Sequence, residues 1–304
     1  MDLKRIKVYG TVILKGHILN WPWRSHIERR RIRGEVTQKA VCSYLQQFVP
    51  EHITDDSGRR IKDDGQEERI FTIWLQGEEK APEIVKACLR SIRHNCSQQL
   101  VVLDSRTLPE WISLPDHIIR KWQEGKIRAA HFADICRVEL LYRYGGIWMD
   151  ATCFATSAVP EEIMAEDFFI YLSGDRLKGL YSFVQNCFFR SRKGDYLLKA
   201  WREAILNYWE SEDSIIDYFA HQLLFKVTVE KNPEAMRHFA RMPHIAQDPT
   251  HTVWEEHKDD MFDRDIFERL TKDAFFQKTE YKSRSAKDPV RGSFSDVMQN
   301  MFRQ

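Results

Sequence analysis

The sequence of 304 residues lacks the features of several large protein classes. No apolar run approaches the roughly 18 residues that a membrane span requires, and Lys15 and His17 interrupt the only candidate for the apolar core of a signal peptide. The formal net charge is only +1, so nothing indicates the strong electrostatic attraction that nucleic acid exerts on basic proteins. We therefore expect a soluble, cytoplasmic protein with no nucleic-acid partner.

Cysteine and glycine patterns exclude two further classes. The six cysteines are scattered and form no CxxC pair, which predicts reduced thiols and neither a disulfide framework nor a zinc site. No GxGxxG motif follows the first predicted strand. An oxidoreductase that binds a dinucleotide is therefore not indicated.

The composition divides the chain into an N-terminal segment, residues 1–66, and a main domain, residues 67–304. The segment contains the basic stretch "HIERRRIRGEV", a predicted helix in "QKAVCSYLQQFV" and the linker-like "DDSGRRIKDDGQEE". Trp21 and Trp23 lie close to Arg29, Arg30 and Arg31. Such a cluster is consistent with peripheral association with an anionic membrane, although a solvated face that packs on the main domain is the favoured interpretation.

Strands and helices alternate in the main domain. Predicted strands are "RIFTIWLQG", "QQLVVLDS" and "GIWMDATCF", and predicted helices include "APEIVKACLRSIRHNC" and "IRAAHFADICRVELLYRY". Gly145 and Gly146 end the second of these helices. This alternation predicts an α/β fold with a mostly parallel central sheet that is flanked by helices.

Polar side chains stand at the ends of the predicted strands, where an α/β sheet binds its ligands. They are Trp74 and Gln76 at the end of the first strand, Asp104 at the end of the second, and Asp150 and Thr152 in the third. These side chains are expected to line one crevice. Trp74 offers a flat face on which a nucleobase could stack, although a tryptophan in a strand is more often part of the core.

Asp150 follows an Ile-Trp-Met run, so its surroundings are expected to be buried. An unpaired carboxylate there would be costly, and either Arg137 or a divalent cation could compensate it. Asp134 and Arg137 stand three residues apart on the preceding helix and should share one face. The pair could bind a donor's hydroxyls and phosphates, or it could belong to a structural cluster of salt bridges.

Three further residues are candidates for donor binding. Asn186 is polar within the apolar strand "FVQNCFF", and it could reach a donor sugar or bond only to backbone. Asp217 and His221 stand four apart in "DYFAHQLLF" and are predicted to share a helix face. The alternative for that pair is a surface contact or a buried core histidine.

Two stretches carry a family resemblance. "IWLQGEEKAPEIVKACLRSI" and then "AHFADICRVELLYRYGGIWMDATCF" resemble the capsular polysaccharide synthesis branch of glycosyltransferase family 32, which is related to the glucosylating domains of large clostridial toxins. The clear match covers about residues 70 to 157, and weaker likeness continues through "IIDYFAHQLLF" and "KTEYKS". The resemblance implies a GT-A-type, Rossmann-like fold that binds a nucleotide-sugar.

The resemblance also implies chemistry for particular residues. It implies a donor that is most often a UDP-sugar, a divalent cofactor (Mn²⁺ or Mg²⁺), and retention of the anomeric configuration. Trp74 matches the tryptophan that contacts the nucleobase, and Asp134 and Arg137 match the pair that holds the donor's sugar and phosphates. Asp150 matches the first acid of the DxD motif, and Thr152 stands where the second acid would be.

The sequence departs from the family pattern at two positions. Ala133 stands where a serine is common, which removes one hydroxyl contact. Thr152 replaces a carboxylate with a hydroxyl, a poorer ligand for a divalent metal. A further ligand could come from the C-terminal segment, where the candidates are Asp288, Ser293 and Asp296.

The expected function is that of a metal-dependent, retaining hexosyltransferase that acts in capsular or surface polysaccharide synthesis. Its acceptor would be an oligosaccharide or a lipid-linked glycan. Because no nucleophile is evident, we expect same-face attack, in which the departing phosphate accepts the acceptor's proton. A protein acceptor, and a non-catalytic protein that binds nucleotide-sugar or carbohydrate, are the alternatives.

Overall fold

The computed structural model describes residues 26–51, 68–174 and 182–303, together with Val8, Gly10 and Ile53. Trp21 and Trp23 lie outside these residues, and so do the side chains of Arg29, Arg30 and Arg31. The hypothesis that the basic segment rests on a membrane therefore stays a prediction. No helix in the described part of the chain combines the length and the apolar composition that crossing a bilayer requires.

The core of the molecule is a five-stranded sheet. Its strands are β1 (Arg69–Ile73), β2 (Gln99–Leu103), β3 (Gly146–Met149), β5 (Phe168–Leu172) and β6 (Val184–Ser191). Their order across the sheet is β2-β1-β3-β6-β5. β1 pairs in parallel with β2 and β3, whereas β6 runs antiparallel to both β3 and β5. Four of the five strands therefore point the same way, which confirms the predicted mostly parallel sheet. A second, two-stranded antiparallel sheet pairs β4 (Cys153–Ala155) with β7 (Phe276–Lys278).

Helices cover both faces of the large sheet, as the alternating pattern predicts. Alternate strand residues belong to different apolar clusters: Phe71 and Trp148 pack with one set of helices, whereas Ile70 and Ile147 pack on the opposite face. The helices are α1 (His26–Leu45), α2 (Glu83–Asn95), α3 (Leu108–Trp111), α4 (Asp116–Gln123), α5 (Ala129–Tyr144), α6 (Glu161–Met164), α7 (Tyr196–Ser211), α8 (Ala220–Lys231), α9 (Pro233–Arg241), α10 (Thr252–His257), α11 (Arg264–Thr271), α12 (Arg284–Lys287) and α13 (Phe294–Asn300).

The prediction of one continuous strand in "GIWMDATCF" is wrong, because that stretch forms β3 and β4 with a turn between them. The backbone N–H of Asp150 donates to the carbonyl of Cys187 at 2.8 Å, and the N–H of Cys153 donates back to the carbonyl of Asp150 at 2.8 Å. The chain leaves the large sheet at this turn and enters the small one. Asp150 therefore lies beyond the end of β3 rather than inside a strand.

The glycine pair after α5 makes a close backbone approach. Gly145 and Gly146 have φ angles of +69° and +96°, a region that side chains with a Cβ disfavour. A Cβ at Gly146 would lie 2.6 Å from the carbonyl oxygen of Arg69. Because glycine has no Cβ, β3 can begin directly beside β1. The position of β3 in turn determines where Asp150, the residue after this strand, lies.

The described end of the N-terminal segment packs against the main domain. Val41, Leu45 and Phe48 are buried in the same apolar cluster as α7 and α8, and Asn207 donates to the carbonyl of Phe48 at 3.1 Å. This part of the segment thus belongs to the common core. The division of the chain at residue 66 stays a prediction.

All six cysteines are free and buried, as the prediction of reduced thiols requires. Burial raises the pKa of the Cys42 and Cys88 thiols to about 12, so both carry a proton at neutral pH. We assign none of the cysteines a chemical role.

Candidate functional site

The candidate site lies at the carboxyl ends of β1, β2 and β3, where the parallel strands end together. Because β6 runs antiparallel to β3, the beginning of β6 reaches the same edge and brings Asn186 there. Helix α5 brings Asp134 and Arg137. The fold thus brings together six of the predicted site residues: Asp134, Arg137, Asp150, Thr152, Asn186 and, from α8, His221.

Arg137 lies at the centre of this group and bridges the two carboxylates. Its Nη2 lies 3.2 Å from Oδ1 of Asp134 and 3.3 Å from Oδ1 of Asp150, and its Nη1 donates to the carbonyl of Asn186. The guanidinium also lies 4.8 Å from the ring centroid of Trp148. The side chain is only 7% exposed, so the ion pairs are buried and weakly screened.

Both carboxylate oxygens of Asp150 have hydrogen-bond partners. Oδ1 accepts from Nε1 of Trp148 at 2.8 Å, and Oδ2 accepts from Nζ of Lys278 at 2.8 Å. Nζ of Lys278 also donates to the hydroxyl of Thr152. Burial alone would raise the pKa of Asp150, but Lys278 and Arg137 outweigh it and hold the pKa below its usual value. Asp150 is therefore ionised, and an ammonium group lies between it and Thr152.

Strand pairing places Lys278 in the site although it lies far from Asp150 in sequence. β7 pairs with β4 so that Lys278 stands opposite Cys153. The neighbouring Thr279 donates twice to the carbonyl of Thr152, from its backbone N–H at 2.8 Å and from its hydroxyl at 2.9 Å. The two strands thus hold the lysine backbone against the turn that carries Asp150.

Asp134 forms the second half of the buried cluster. Its Oδ1 accepts from Nδ2 of Asn186 at 2.8 Å, and its Oδ2 lies 3.1 Å from Nδ1 of His221 and 3.5 Å from Nδ1 of His131. Burial would raise its pKa, but Arg137 and the two imidazoles outweigh burial and hold the pKa well below its usual value. Gln222 donates to Oδ1 of Asn186 at 3.2 Å and so fixes the amide's orientation.

The protonation state of His221 follows from its other neighbour. Nε1 of Trp209 lies 2.9 Å from Nε2 of His221, and an indole nitrogen can only donate. Nε2 must therefore accept, which leaves the ring hydrogen on Nδ1, facing Asp134. Burial outweighs the attraction of Asp134 and lowers the pKa of His221, so the ring is neutral at pH 7.

Two groups of residues can be compared with the requirements of a metal ion. His131, Asp134 and His221 are buried, with possible ligand atoms within 4.8 Å of one another, and their arrangement is compatible with a metal. Ligation by Nδ1 of His221 would, however, move its hydrogen to Nε2, where it would oppose the indole N–H of Trp209.

The second group is the predicted pair Asp150 and Thr152. A divalent ion between these two side chains would occupy the place of the Lys278 ammonium. The pair in its present arrangement therefore does not fit a metal ion. Among the described residues, His131, Asp134 and His221 form the one group of three His, Cys, Asp or Glu side chains whose ligand atoms lie close enough together to hold a metal ion.

Trp74 and Gln76 follow β1 and Asp104 follows β2, and the contacts of Trp74 and Asp104 lie outside the buried cluster. Trp74 is half-buried, its ring meets Tyr281 edge-on at 5.1 Å, and Gln76 is exposed. Oδ1 of Asp104 accepts from the backbone N–H groups of Arg106 at 2.8 Å and Thr107 at 2.9 Å. These bonds lower the pKa of Asp104 well below its usual value. Their predicted roles in donor binding stay predictions.

The prediction that Asp217 and His221 share a helix face is wrong, because α8 begins only at Ala220. Oδ1 of Asp217 accepts from the backbone N–H of Phe219 at 2.8 Å. A carboxylate that bonds two residues ahead favours a turn over a helix. His221 lies inside the helix and reaches the cluster, whereas the carboxylate of Asp217 makes its bond within the turn before the helix.

The C-terminal candidates for a further metal ligand have local contacts as well. Ser293 caps α13 by accepting from the N–H of Asp296, and Oδ2 of Asp296 accepts from the N–H of Gly292 at 2.7 Å. Asp288 stands at the end of α12. The residue from this part of the chain that contacts Asp150 is Lys278, the first residue of "KTEYKS".

Sequence reasoning missed Lys278, His131 and Trp148. His131 could have been found, because it stands three residues before Asp134 on α5 and so shares its face. Trp148, in β3, stands two residues before Asp150, and the predicted continuous strand would have put both side chains on the same side. No local pattern marks Lys278, whose position depends on the pairing of β4 with β7.

Comparison with known proteins identifies a matching family and two similar glycosyltransferases. A family model described as "Capsular polysaccharide synthesis protein" matches residues 22–296. The chain is similar to glycosyltransferase afumC of Aspergillus fumigatus (strain CBS 144.89 / FGSC A1163 / CEA10), with 30% identity over 221 residues, which cover 66% of this chain and 52% of that protein. It is also similar to O-glycosyltransferase PaGT of Phomopsis amygdali, with 24% identity over 197 residues, which cover 57% of this chain and 47% of that protein. The chain thus spans about half the length of these curated relatives.

Proposed function

Because the chain belongs to the capsular polysaccharide synthesis protein family, we propose that it is a retaining glycosyltransferase that uses a nucleotide-sugar, in the first instance a UDP-sugar. The names of its curated relatives support glycosyl transfer. The observation that carries the proposal is the buried Asp134–Arg137–Asp150 arrangement at the carboxyl edge of the sheet. Nucleotide ligands bind at this edge in open α/β sheets.

Each part of the donor has a proposed partner. Trp74 would stack on the nucleobase, and Arg137 would face the diphosphate, on which negative charge develops as the sugar leaves. Asp134, whose position is fixed by Asn186 and Arg137, would accept hydrogen bonds from the sugar's hydroxyls. Gln76, Asp104, Asp217 and His221 stay further candidates for contacts with the donor.

The proposed reaction is same-face attack. A hydroxyl of the acceptor bonds to the anomeric carbon while the bond from that carbon to the diphosphate breaks, and the released electron pair goes to the diphosphate. The departing diphosphate takes the acceptor's proton. The sugar passes through a state with oxocarbenium character, which the nearby carboxylate of Asp134 would stabilise.

A divalent ion, Mn²⁺ or Mg²⁺, would supply charge stabilisation at the diphosphate. Asp150 and Thr152 would hold it only after Lys278 had moved away, so no step of the proposed reaction depends on the ion. The proposed acceptor is an oligosaccharide or a lipid-linked glycan in surface polysaccharide synthesis, at the cytoplasmic side of a membrane near the basic N-terminal segment. A protein acceptor is the alternative within the same chemistry.

A thermal-shift screen tests the proposal. UDP-, GDP- and dTDP-sugars are added separately, with and without Mn²⁺, and the melting temperature is recorded. A ligand at about 100 times its Kd stabilises the fold by about 2.7 kcal/mol, so the matching donor should give a clear upward shift. The proposal fails if none of the nucleotide-sugars shifts the melting temperature under either condition.

A second measurement separates an enzyme from a binding protein. The nucleotide-sugar that binds is incubated with the protein, and the release of free nucleotide is followed by chromatography. Slow hydrolysis of the donor, which is abolished in Asp134→Asn, supports transfer. Binding without any release of nucleotide, in the presence of glycan acceptors as well, favours the non-catalytic alternative.

A further inference from the structure

The strongest unexplained feature of the site is the position of the Lys278 ammonium. It lies 2.8 Å from Oδ2 of Asp150 and also donates to the hydroxyl of Thr152. These are the two side chains that the family resemblance assigns to the metal. A positive charge that belongs to the protein thus lies where a bound cation is expected.

The surrounding backbone fixes this position. Lys278 is the last residue of β7, whose pairing with β4 places it opposite Cys153. Thr279 adds two hydrogen bonds to the carbonyl of Thr152. Because the backbone on both sides of the contact is hydrogen-bonded, the fold holds the Cα of Lys278 beside the turn, and the flexible side chain carries the ammonium from there to Asp150.

The ammonium also has capacity for a further bond. A lysine ammonium has three hydrogens, and its contacts with Asp150 and Thr152 use two of them. The side chain is 23% exposed, compared with 7% for Arg137. Lys278 therefore lies at the boundary between the buried cluster and the protein surface, and its ammonium is accessible to an oxygen of a ligand.

We propose that Lys278 is the diphosphate-binding cation of this site, in the place of a divalent metal, and that donor binding therefore requires no metal ion. This inference rests on the proposed function, because it assumes a nucleotide-sugar donor. The third N–H of Lys278 binds an oxygen of the diphosphate. The lysine keeps its proton throughout the reaction, and its charge opposes the negative charge that develops on the leaving group.

The charges of the site favour this arrangement over a metal. Asp134 and Asp150 are balanced by Arg137 and Lys278, so the four charges sum to zero. A divalent ion bound to Asp150 would lie within a few ångströms of the ammonium, and the two positive charges would repel each other strongly in a partly buried site. A diphosphate, in contrast, would approach two cations that are already in place.

Calorimetric titration tests the inference with UDP and UDP-glucose as probes. Binding to the wild-type protein is measured once in excess EDTA and once in millimolar Mn²⁺. We expect the two Kd values for UDP to agree within about threefold. Binding that occurs only with Mn²⁺ overturns the inference but leaves the proposed function intact, whereas the absence of binding under both conditions contradicts the proposed function itself.

Variants sharpen the test. Lys278→Met should weaken UDP binding in EDTA by about 10- to 100-fold, the range expected for one lost hydrogen bond to a charged group. Lys272→Met removes an exposed lysine from the end of α11 and is the matched control, with no expected change. Equal affinities of Lys278→Met and wild type in EDTA overturn the inference. Circular dichroism shows whether the variants are folded. If they are not, the comparison of UDP binding to the wild-type protein in EDTA and in Mn²⁺ still tests the inference.

Asp150→Asn distinguishes a bound metal ion from the Lys278 ammonium as the cation that holds the diphosphate. If a metal holds the diphosphate, the loss of the carboxylate should abolish UDP binding. If Lys278 holds it, the variant keeps its cation and loses a nearby negative charge, so UDP binding in EDTA should be retained or strengthened. Loss of UDP binding by more than tenfold in a folded Asp150→Asn protein contradicts the assignment of Lys278.

Discussion

Replacement of Arg137 by methionine tests whether the central ion pairs are as buried as the structure indicates. The substitution keeps an unbranched apolar side chain beside Trp148 but removes the charge. It leaves Asp150 with Lys278 and Trp148, and it leaves Asp134 with Asn186 and with the imidazoles of His131 and His221. The sum of the charges in the cluster changes from zero to −1.

The expected cost follows from the burial of the pair. The side chain of Arg137 is 7% exposed and that of Asp134 is 11% exposed, so water screens the loss only weakly. Breaking a buried pair by the removal of one partner costs about 3–5 kcal/mol. Asp150 is 22% exposed and keeps a second cation, so we expect a loss of about 3 kcal/mol, at the lower end of that range.

Urea unfolding at pH 7 measures this loss, with an unchanged slope as the sign that the variant unfolds from the same compact state. Arg143→Met is the matched control on the same helix. Its side chain is 43% exposed and lies 3.6 Å from Glu139, which keeps Arg202 as a partner, so its loss should cost less than about 1 kcal/mol. If Arg137→Met costs no more than this control, the reasoning about a buried cluster is wrong.

Two further predictions concern stability. Gly146→Ala should destabilise the fold by at least about 2 kcal/mol, because φ is +96° and the new Cβ would lie 2.6 Å from the carbonyl oxygen of Arg69. The control is Gly125→Ala, where φ is +71° but a Cβ meets nothing within 4 Å, so that urea unfolding of both variants separates the clash from the backbone strain. Equal losses of stability in the two variants would contradict the clash. Burial lowers the pKa of His221 below its ordinary 6.5, so the unfolded chain binds more protons below that pH, and stability should fall as the pH drops from about 6.5. His221→Gln should lose less stability than wild type between pH 7 and pH 5, and parallel pH slopes of the urea midpoints would show that His221 does not titrate this way.

Local spacing made half of the site predictable. Asp134 and Arg137 are three residues apart on one helix, and helical geometry alone brings their side chains together. Asp150 follows an apolar strand, and the end of a parallel strand is where an α/β sheet binds ligands. In both cases the relevant contact lies within one element or at its end, so periodicity carries the information.

The other half depends on pairings between distant segments. Asn186 stands out as a polar residue in an apolar strand, but it reaches the edge only because β6 runs antiparallel to β3. Sequence reasoning missed Lys278, which reaches the edge because β7 pairs with β4. Neither pairing has a local sequence signal. The error at Asp217 has a different cause, since the carboxylate bonds to a backbone N–H two residues ahead and so competes with the helix that the spacing suggests.

The two cations of the site differ in their capacity to respond to a donor. Arg137 contacts two carboxylates, a backbone carbonyl and the face of Trp148, so any turn of its guanidinium would break several buried contacts at once. Lys278 is more exposed, and its ammonium sits at the end of a flexible four-carbon stem. The charges of Asp134, Asp150, Arg137 and Lys278 sum to zero, so every charged group of the site has a partner before a ligand binds. A diphosphate therefore gains most from the cation that can turn toward it while keeping its bond to Asp150, and that cation is the lysine.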